Sequence, residues 1–188
     1  MATSMRWTSA DLDLLPLEDG KRYEIIDGEL YVAKQPSSDH QFVCVAVAAP
    51  LHVWSTQTGA GVTFFAPGLI FADGDDVAPD VVWASNERLR AILGPDRKLH
   101  GAPEVVVEVL SPGSTNERRD RIAKLDLYSR RGVDEYWIVD WQQRRVEVFR
   151  RENARLRHTA TLYERDVLQS PLLPGLNLPV GQLFADLP

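Results

Sequence analysis

One stretch limits the folds open to this chain more than any other: PEVVVEVLSP, residues 103–112. Glu104 to Leu110 reads as a strand, because seven valine-rich residues closed by proline on each side are too few for a helix. Side chains alternate along a strand, so Glu104, Val106, Glu108 and Leu110 share one face and Val105, Val107 and Val109 the other. Glu108 is the odd member, a carboxylate among valines. Burying it unpaired would be very costly, so it is protonated, paired or bound to a cation. A structural salt bridge to an arginine would satisfy it as well as a metal would.

The flanking segments supply the rest of a mixed sheet. Ser9-Ala-Asp11 can cap a brief helix ending near Pro16. RYEIIDGELYVAK reads as a hairpin, with Tyr23–Ile26 and Glu29–Ala33 on either side of Asp27-Gly28, a pair suited to a tight turn. His40 to about Thr58 reads as a mostly apolar, buried helix, interrupted at Pro50. VTFFAPGLIFA is a strand pair broken at Pro67-Gly68, DGDD a polar turn, PDVVWA a short strand and Asn86–Leu93 a helical turn. Ser114-Thr115-Asn116 caps a helix that stops at Gly132. EYWIVD, RRVEVFRR and LRHTATLY follow as strands, and LLPGLNLPVGQLF holds too much proline for a central strand. Strand, helix, strands, helix, strands is the order of an α+β mixed sheet with helices packed on it.

Composition narrows the class. A chain of 188 residues is expected to form one domain, residues 1–188, with a sizeable core. Its only cysteine is Cys44, so disulfides and cysteine zinc sites are not expected. The longest apolar run, Val43 to Leu51, is nine residues, against about 20 for a membrane span. No leader is visible at the start, and the expectation is a soluble cytoplasmic protein with no membrane role. The net charge of −6 argues against nonspecific coating of nucleic acid and for a local basic surface instead.

Such a surface lies in TNERRDRIAKLDLYSRRG, with six basic residues against three acidic ones. Glu117, Asp120, Lys124, Tyr128 and Arg131 form one helical stripe. Ile122 and Leu125 lie beside it and should face the sheet, putting Lys124 at the border of the buried face. An exposed Asp120–Lys124 pair, worth a few tenths of a kcal/mol, is the plainer reading. Asp80 opens the strand PDVVW. Alone it would be a strand-end aspartate capping amides, but with Glu108 on a neighbouring strand it makes two carboxylates for a hard divalent ion.

PDVV, EVVVEVLSP and RRDRIAKLDLYSRRGVDEYWIVD, in that order, resemble the Uma-type putative restriction endonuclease family of the PD-(D/E)XK nuclease superfamily. RYEIIDGELYV and LPGLNLPVGQLF also resemble family segments. The resemblance implies a restriction-endonuclease-like mixed β-sheet core flanked by helices, with extra β-hairpins at both ends. It implies a metal-dependent endonuclease acting on DNA with Mg2+ or Mn2+. Asp80 and Glu108 take the metal positions, with the Val109 carbonyl beside them. The superfamily lysine normally stands two residues after the second acid, where this chain has Leu110. The resemblance puts that role on Lys124. Arg118, Arg119, Arg121 and Arg130 would hold the DNA backbone. Glu24 and His40 are accessory candidates, with a cross-strand charge pair and an ordinary packed histidine as their plainer readings. Tyr136 and Trp137 read as core and Asp140 as a turn residue.

Two rivals remain at this level: a noncatalytic nucleic-acid-binding or regulatory relative, favoured by Leu110, and a partner-binding domain whose acids form only a buried ion pair. A homodimer through an edge strand of the C-terminal meander is a further candidate arrangement.

Overall fold

A computed structural model of the chain describes residues 6–15, 21–185 and 187, without the side chains of residues 114 and 115. The expected stop at Pro16 and the caps Ser114 and Thr115 lie outside the described residues. After α1 (Ser9–Leu12), β1 (Lys21–Ile26) and β2 (Glu29–Lys34) form the expected hairpin. Asp27 and Gly28 take φ of 55° and 75°, the left-handed pair that a two-residue turn requires. The α2 helix (Ser38–Thr58) runs unbroken through Pro50, capped by Ser37, whose hydroxyl accepts from the His40 N–H, and closed by Gly59 at φ 65°.

β3 (Gly61–Phe65) and β4 (Leu69–Ala72) separate at Pro67-Gly68 into different sheets. The DGDD segment turns at Asp73-Gly74 as expected, but its last two aspartates begin β5 (Asp75–Val77). It is a buried strand because Asp75 is satisfied there, by the Asp27 N–H at 2.8 Å and by Arg131. β6 (Val81–Ser85), α3 (Asn86–Ile92) and β7 (Val105–Val109) follow. One continuous helical stretch then comprises α4 (Ser114–Arg118), a π-helical turn (Arg119–Lys124) and α5 (Leu125–Arg131). β8 (Glu135–Asp140), β9 (Arg145–Glu152) and β10 (Arg155–Tyr163) complete the main sheet. β11 (Val167–Leu168), β12 (Leu178–Pro179) and a 3-10 turn (Val180–Phe184) end the fold.

The main sheet has the order β10-β9-β8-β7-β6-β3, and a smaller one has the order β2-β1-β5-β4. Neighbouring strands in the main sheet are antiparallel except β7 and β8, which are parallel. Parallel neighbours need a crossover, which the α4–α5 helix supplies. The expected alternation of β7 holds. Val105, Val107 and Val109 pack with Val43, Val47, Leu51 and Trp54 of α2, while Val106 and Leu110 pack with Leu127 and Tyr128 of α5 and with Ile26, Leu69 and Val77 of the smaller sheet.

Two expectations about buried faces need correction. Phe42, Val45 and Val53 leave α2 exposed on one side, so the helix is a half-buried layer. Ile122 is 59% exposed, while Asp120, Lys124 and Tyr128 turn inward at about 1% or less. The polar stripe is therefore the buried one, because the acids it meets can only be buried against a cation. Among the described residues no helix is long and apolar enough to cross a membrane.

Leu127→Ala should cost about 2–5 kcal/mol, the range for deleting a buried leucine, whereas Ile122→Ala should stay within about 0.5 kcal/mol. Urea unfolding of both variants checks which side of the helix carries the fold; equal costs would contradict the orientation.

Candidate active site

β7 carries Glu108 at the middle of the main sheet, on the face that the crossover helix covers. The Lys124 ammonium donates to Glu108 Oε1 at 2.9 Å, and the Tyr128 hydroxyl donates to the same oxygen at 2.7 Å. These two residues stand four apart along the helical stretch, so both reach one carboxylate. Lys124 also lies 2.8 Å from Glu24 Oε1, which accepts the Ala78 N–H at 2.9 Å. Glu24 thus ties the smaller sheet to the segment leading into β6. Tyr136 donates to the Asp120 carbonyl at 3.0 Å and pins the wide π turn that presents Asp120 and Lys124. The Arg119 guanidinium closes the cluster, 2.9 Å from Asp120 Oδ1 and 3.6 Å from Glu24 Oε2.

Asp80 stands just before β6, whose pairing with β7 begins at Val81 and Val107. Its Oδ2 takes the Val109 N–H at 2.8 Å and lies 3.3 Å from His40 Nε2. Arg22 Nη1 is 3.8 Å from its Oδ1, at the rim. His40 is buried in the first turn of α2, with Nδ1 3.4 Å from Cys44 Sγ. Arg22, Glu24, His40, Asp80, Glu108, Val109 and Lys124 all line one cavity of about 30 Å³, enough for one or two waters or an ion. A larger groove of about 610 Å³ lies against β9 and β10, but Arg150 is its only charged lining residue and is already tied to Glu135 and the Gln169 carbonyl.

Burial pushes the Glu108 carboxyl up to about 8, against the pull of Lys124 and with Asp80, Asp120 and Glu24 adding to the rise. Burial also works against ionised Asp80, but His40, the Val109 N–H and Lys124 outweigh it and hold that carboxyl below the usual range. Glu24 is likewise opposed by burial and held low by Lys124 and Arg119. Burial disfavours charged Lys124, yet Glu108, Glu24 and Asp120 keep it a firm ammonium. Four buried carboxylates, Glu24, Asp80, Glu108 and Asp120, therefore face two enclosed cations, Lys124 and Arg119. With all four ionised the deficit would be two positive charges, and burial raises Asp120 as well as Glu108 in response. Protonation of Glu108 fills part of it in the metal-free protein; one divalent ion on hard oxygen donors fits the whole.

The structure brings Glu24, His40, Asp80, Glu108, Val109 and Lys124 together. It places the four arginines differently. Arg118 is exposed. Arg119 lies inside the cluster, Arg121 pairs with Asp140 and Glu147, and Arg130 pairs with Asp27 and Asp126. Tyr136 and Trp137 are core, and Asp140 accepts the Gln143 N–H as a turn residue does. Sequence reasoning missed Arg22, Cys44, Asp120 and Tyr128 as members. Arg22 could have been found by its i,i+2 position beside Glu24 on one strand face. Asp120 and Tyr128 were visible as stripe partners of Lys124. Cys44 had no signal beyond its i,i+4 relation to His40.

The sequence profile described as Uma2, putative restriction endonuclease, matches residues 9–181. The chain belongs to this family. Its fold is similar to that of a putative nuclease of DUF820 from Anabaena variabilis ATCC 29413, with a TM-score of 0.74 at 17% identity over 95% of this chain and 97% of that one. A weaker likeness, to the type IIG restriction endonuclease BpuSI, has a TM-score of 0.40 at 15% identity over 78% of this chain and 15% of that one. No curated protein matches the chain. The fold is the restriction-endonuclease-like α+β arrangement that the motifs imply.

Glu108 also makes stability depend on pH. Its folded value of about 8 lies above the ordinary 4.5, so the folded state holds the proton more tightly. That contribution is complete below about 4.5 and is lost as pH rises through about 8. In EDTA, the melting temperature of Glu108→Gln relative to the parent should therefore climb across this window. A flat difference would contradict the raised value.

Proposed function

We propose that this Uma2-family chain is a divalent-metal-dependent endonuclease that hydrolyses phosphodiester bonds in DNA. The observation that carries the reading is Lys124, 1% exposed, held against Glu108 and Glu24 in the cavity that Asp80 also lines. Leu110, in the usual lysine position, packs in the core, and the lysine arrives from the crossover helix instead.

Asp80 and Glu108, with the Val109 carbonyl, would hold Mg2+ or Mn2+. Such an ion, when bound, polarises a phosphate and lowers the pKa of a water beside it. The protein's own residues do the rest. The Val109 N–H and His40 fix the Asp80 carboxylate in one orientation. Tyr128 and Lys124 fix Glu108. The Lys124 ammonium orients the attacking water and offsets charge that develops on the phosphate. Glu24 keeps that ammonium in place and charged. Arg22 at the rim and the exposed Arg118 are suited to the DNA backbone, where each phosphate contact adds to the salt dependence.

Lys124→Ala removes the sole ammonium from two buried carboxylates, so it should destabilise the fold by about 3–5 kcal/mol. In a plasmid-nicking assay with Mn2+, below its melting temperature, it should cut at least about 10²-fold more slowly than the parent. Mn2+ should raise the parent's melting temperature, and Asp80→Ala should abolish that rise. A parent that binds Mn2+ and DNA without ever cutting would be a noncatalytic relative; one that binds no divalent ion would leave the acids as a structural ion network.

A further inference from the structure

Around Lys124 the carboxylates are already engaged. Glu24 and Glu108 each offer Oε1 to the ammonium, and Asp120 is held by Arg119. Asp80 is different. Lys124 acts on it only through space, and among the described residues its ion-pair partners are the Arg22 guanidinium, 3.8 Å away at the rim, and the His40 imidazole at 3.3 Å. Among the described residues, the one trio of histidine, cysteine or acidic ligand atoms lying within 4.8 Å of one another is His40, Cys44 and Asp80; Glu108 is not in it. His40 is 3% exposed, stands among the apolar residues of α2 and lines the cavity. Both nitrogens of this buried imidazole are engaged, Nδ1 by the Cys44 sulfur and Nε2 by Asp80 Oδ2 on the cavity side, so Nε2 and the carboxylate present a nitrogen and an oxygen donor side by side.

We propose that His40 Nε2 is itself a ligand of the cation seat at Asp80, so that the site takes a first-row transition-metal dication, Mn2+ or Co2+, in preference to Mg2+. The proposal rests on the nuclease reading of the same site and specifies its ion. Mg2+ favours oxygen donors and keeps its waters, whereas an imidazole nitrogen adds affinity for transition metals. Cys44 plays the outer part. Its sulfur lies 3.4 Å from Nδ1, where it can accept that N–H and leave Nε2 free for the ion. The nitrogen also accounts for why a histidine, rather than another apolar residue, occupies the first buried position of α2.

Pulsed electron paramagnetic resonance of Mn2+ added to the metal-stripped full chain provides the test, because a coordinated imidazole couples its 14N nucleus to the ion. The parent should show that coupling and His40→Gln should lose it while still binding Mn2+. The ratio of Co2+ to Mg2+ affinity should fall by about 10-fold or more in His40→Gln, on the scale that even outer partners of a metal produce. Cys44→Ser should keep the nitrogen coupling. Mn2+ bound at Asp80 without nitrogen coupling in the parent would overturn the proposal and leave the nuclease reading standing, with His40 only a prop for Asp80. A thiolate-to-Co2+ absorption band lost in Cys44→Ser would overturn it in favour of a sulfur-ligated ion. A parent that binds no Mn2+ at all would overturn both.

Discussion

A lysine with 1% exposure governs this structure. Lys124 could not stay charged among valines and tyrosines unless carboxylates surrounded it, and Glu24, Glu108 and Asp120 could not stay buried without it. Each of these groups comes from a different part of the chain: β1, β7 and the helical crossover. The ion network is therefore also the device that docks the smaller sheet and the helix onto the main sheet. Its cost and its specificity are the same fact, since no apolar repacking would point these elements at a common cavity.

The sheet topology sets where that cavity lies. The antiparallel pairing of β6 with β7 starts after Asp80, which frees the Val109 N–H to bind the Asp80 carboxylate. The parallel pairing of β7 with β8 forces a helical crossover past the end of β7, and the π turn widens the helix where Asp120 and Lys124 turn inward. The position of α2 then brings His40 to Asp80 from the opposite side of the sheet to α5. The small cavity is thus reached from both layers, although only the crossover side carries the ammonium.

The surplus of acid over base inside this cavity links fold to chemistry. A protein built only for stability would match four carboxylates with four cations or replace them with apolar groups. Here burial and the surplus of acid raise Glu108, while His40, the Val109 N–H and Lys124 keep Asp80 low. Two carboxylates in unlike protonation states, one beside a lysine and one beside an imidazole, give the site two distinct halves.

The sequence alone was enough for β7, its two faces and the odd position of Glu108, because alternation and valine content are local properties of ten residues. The Asp27-Gly28 hairpin was legible for the same reason, as turn chemistry depends on adjacent residues. Pairing of Asp80 with Glu108 was suggested by two short neighbouring strands, and motif resemblance gave the pair its metal role. Leu125 packs against the core as expected, but Ile122 was misread because it outranks Lys124 on any hydrophobic scale; only the acids supplied by β1 and β7 reverse that order. The second half of DGDD was misread as turn because Asp75 needs Arg131, 56 residues away, to be buried. Cys44 and Arg22 joined the site by the approach of α2 and β1. Local periodicity determined the strands and turns of this protein; the identity of its buried charges was decided by the tertiary structure, because a charge is buried only where distant segments bring its counter-charge within hydrogen-bonding reach.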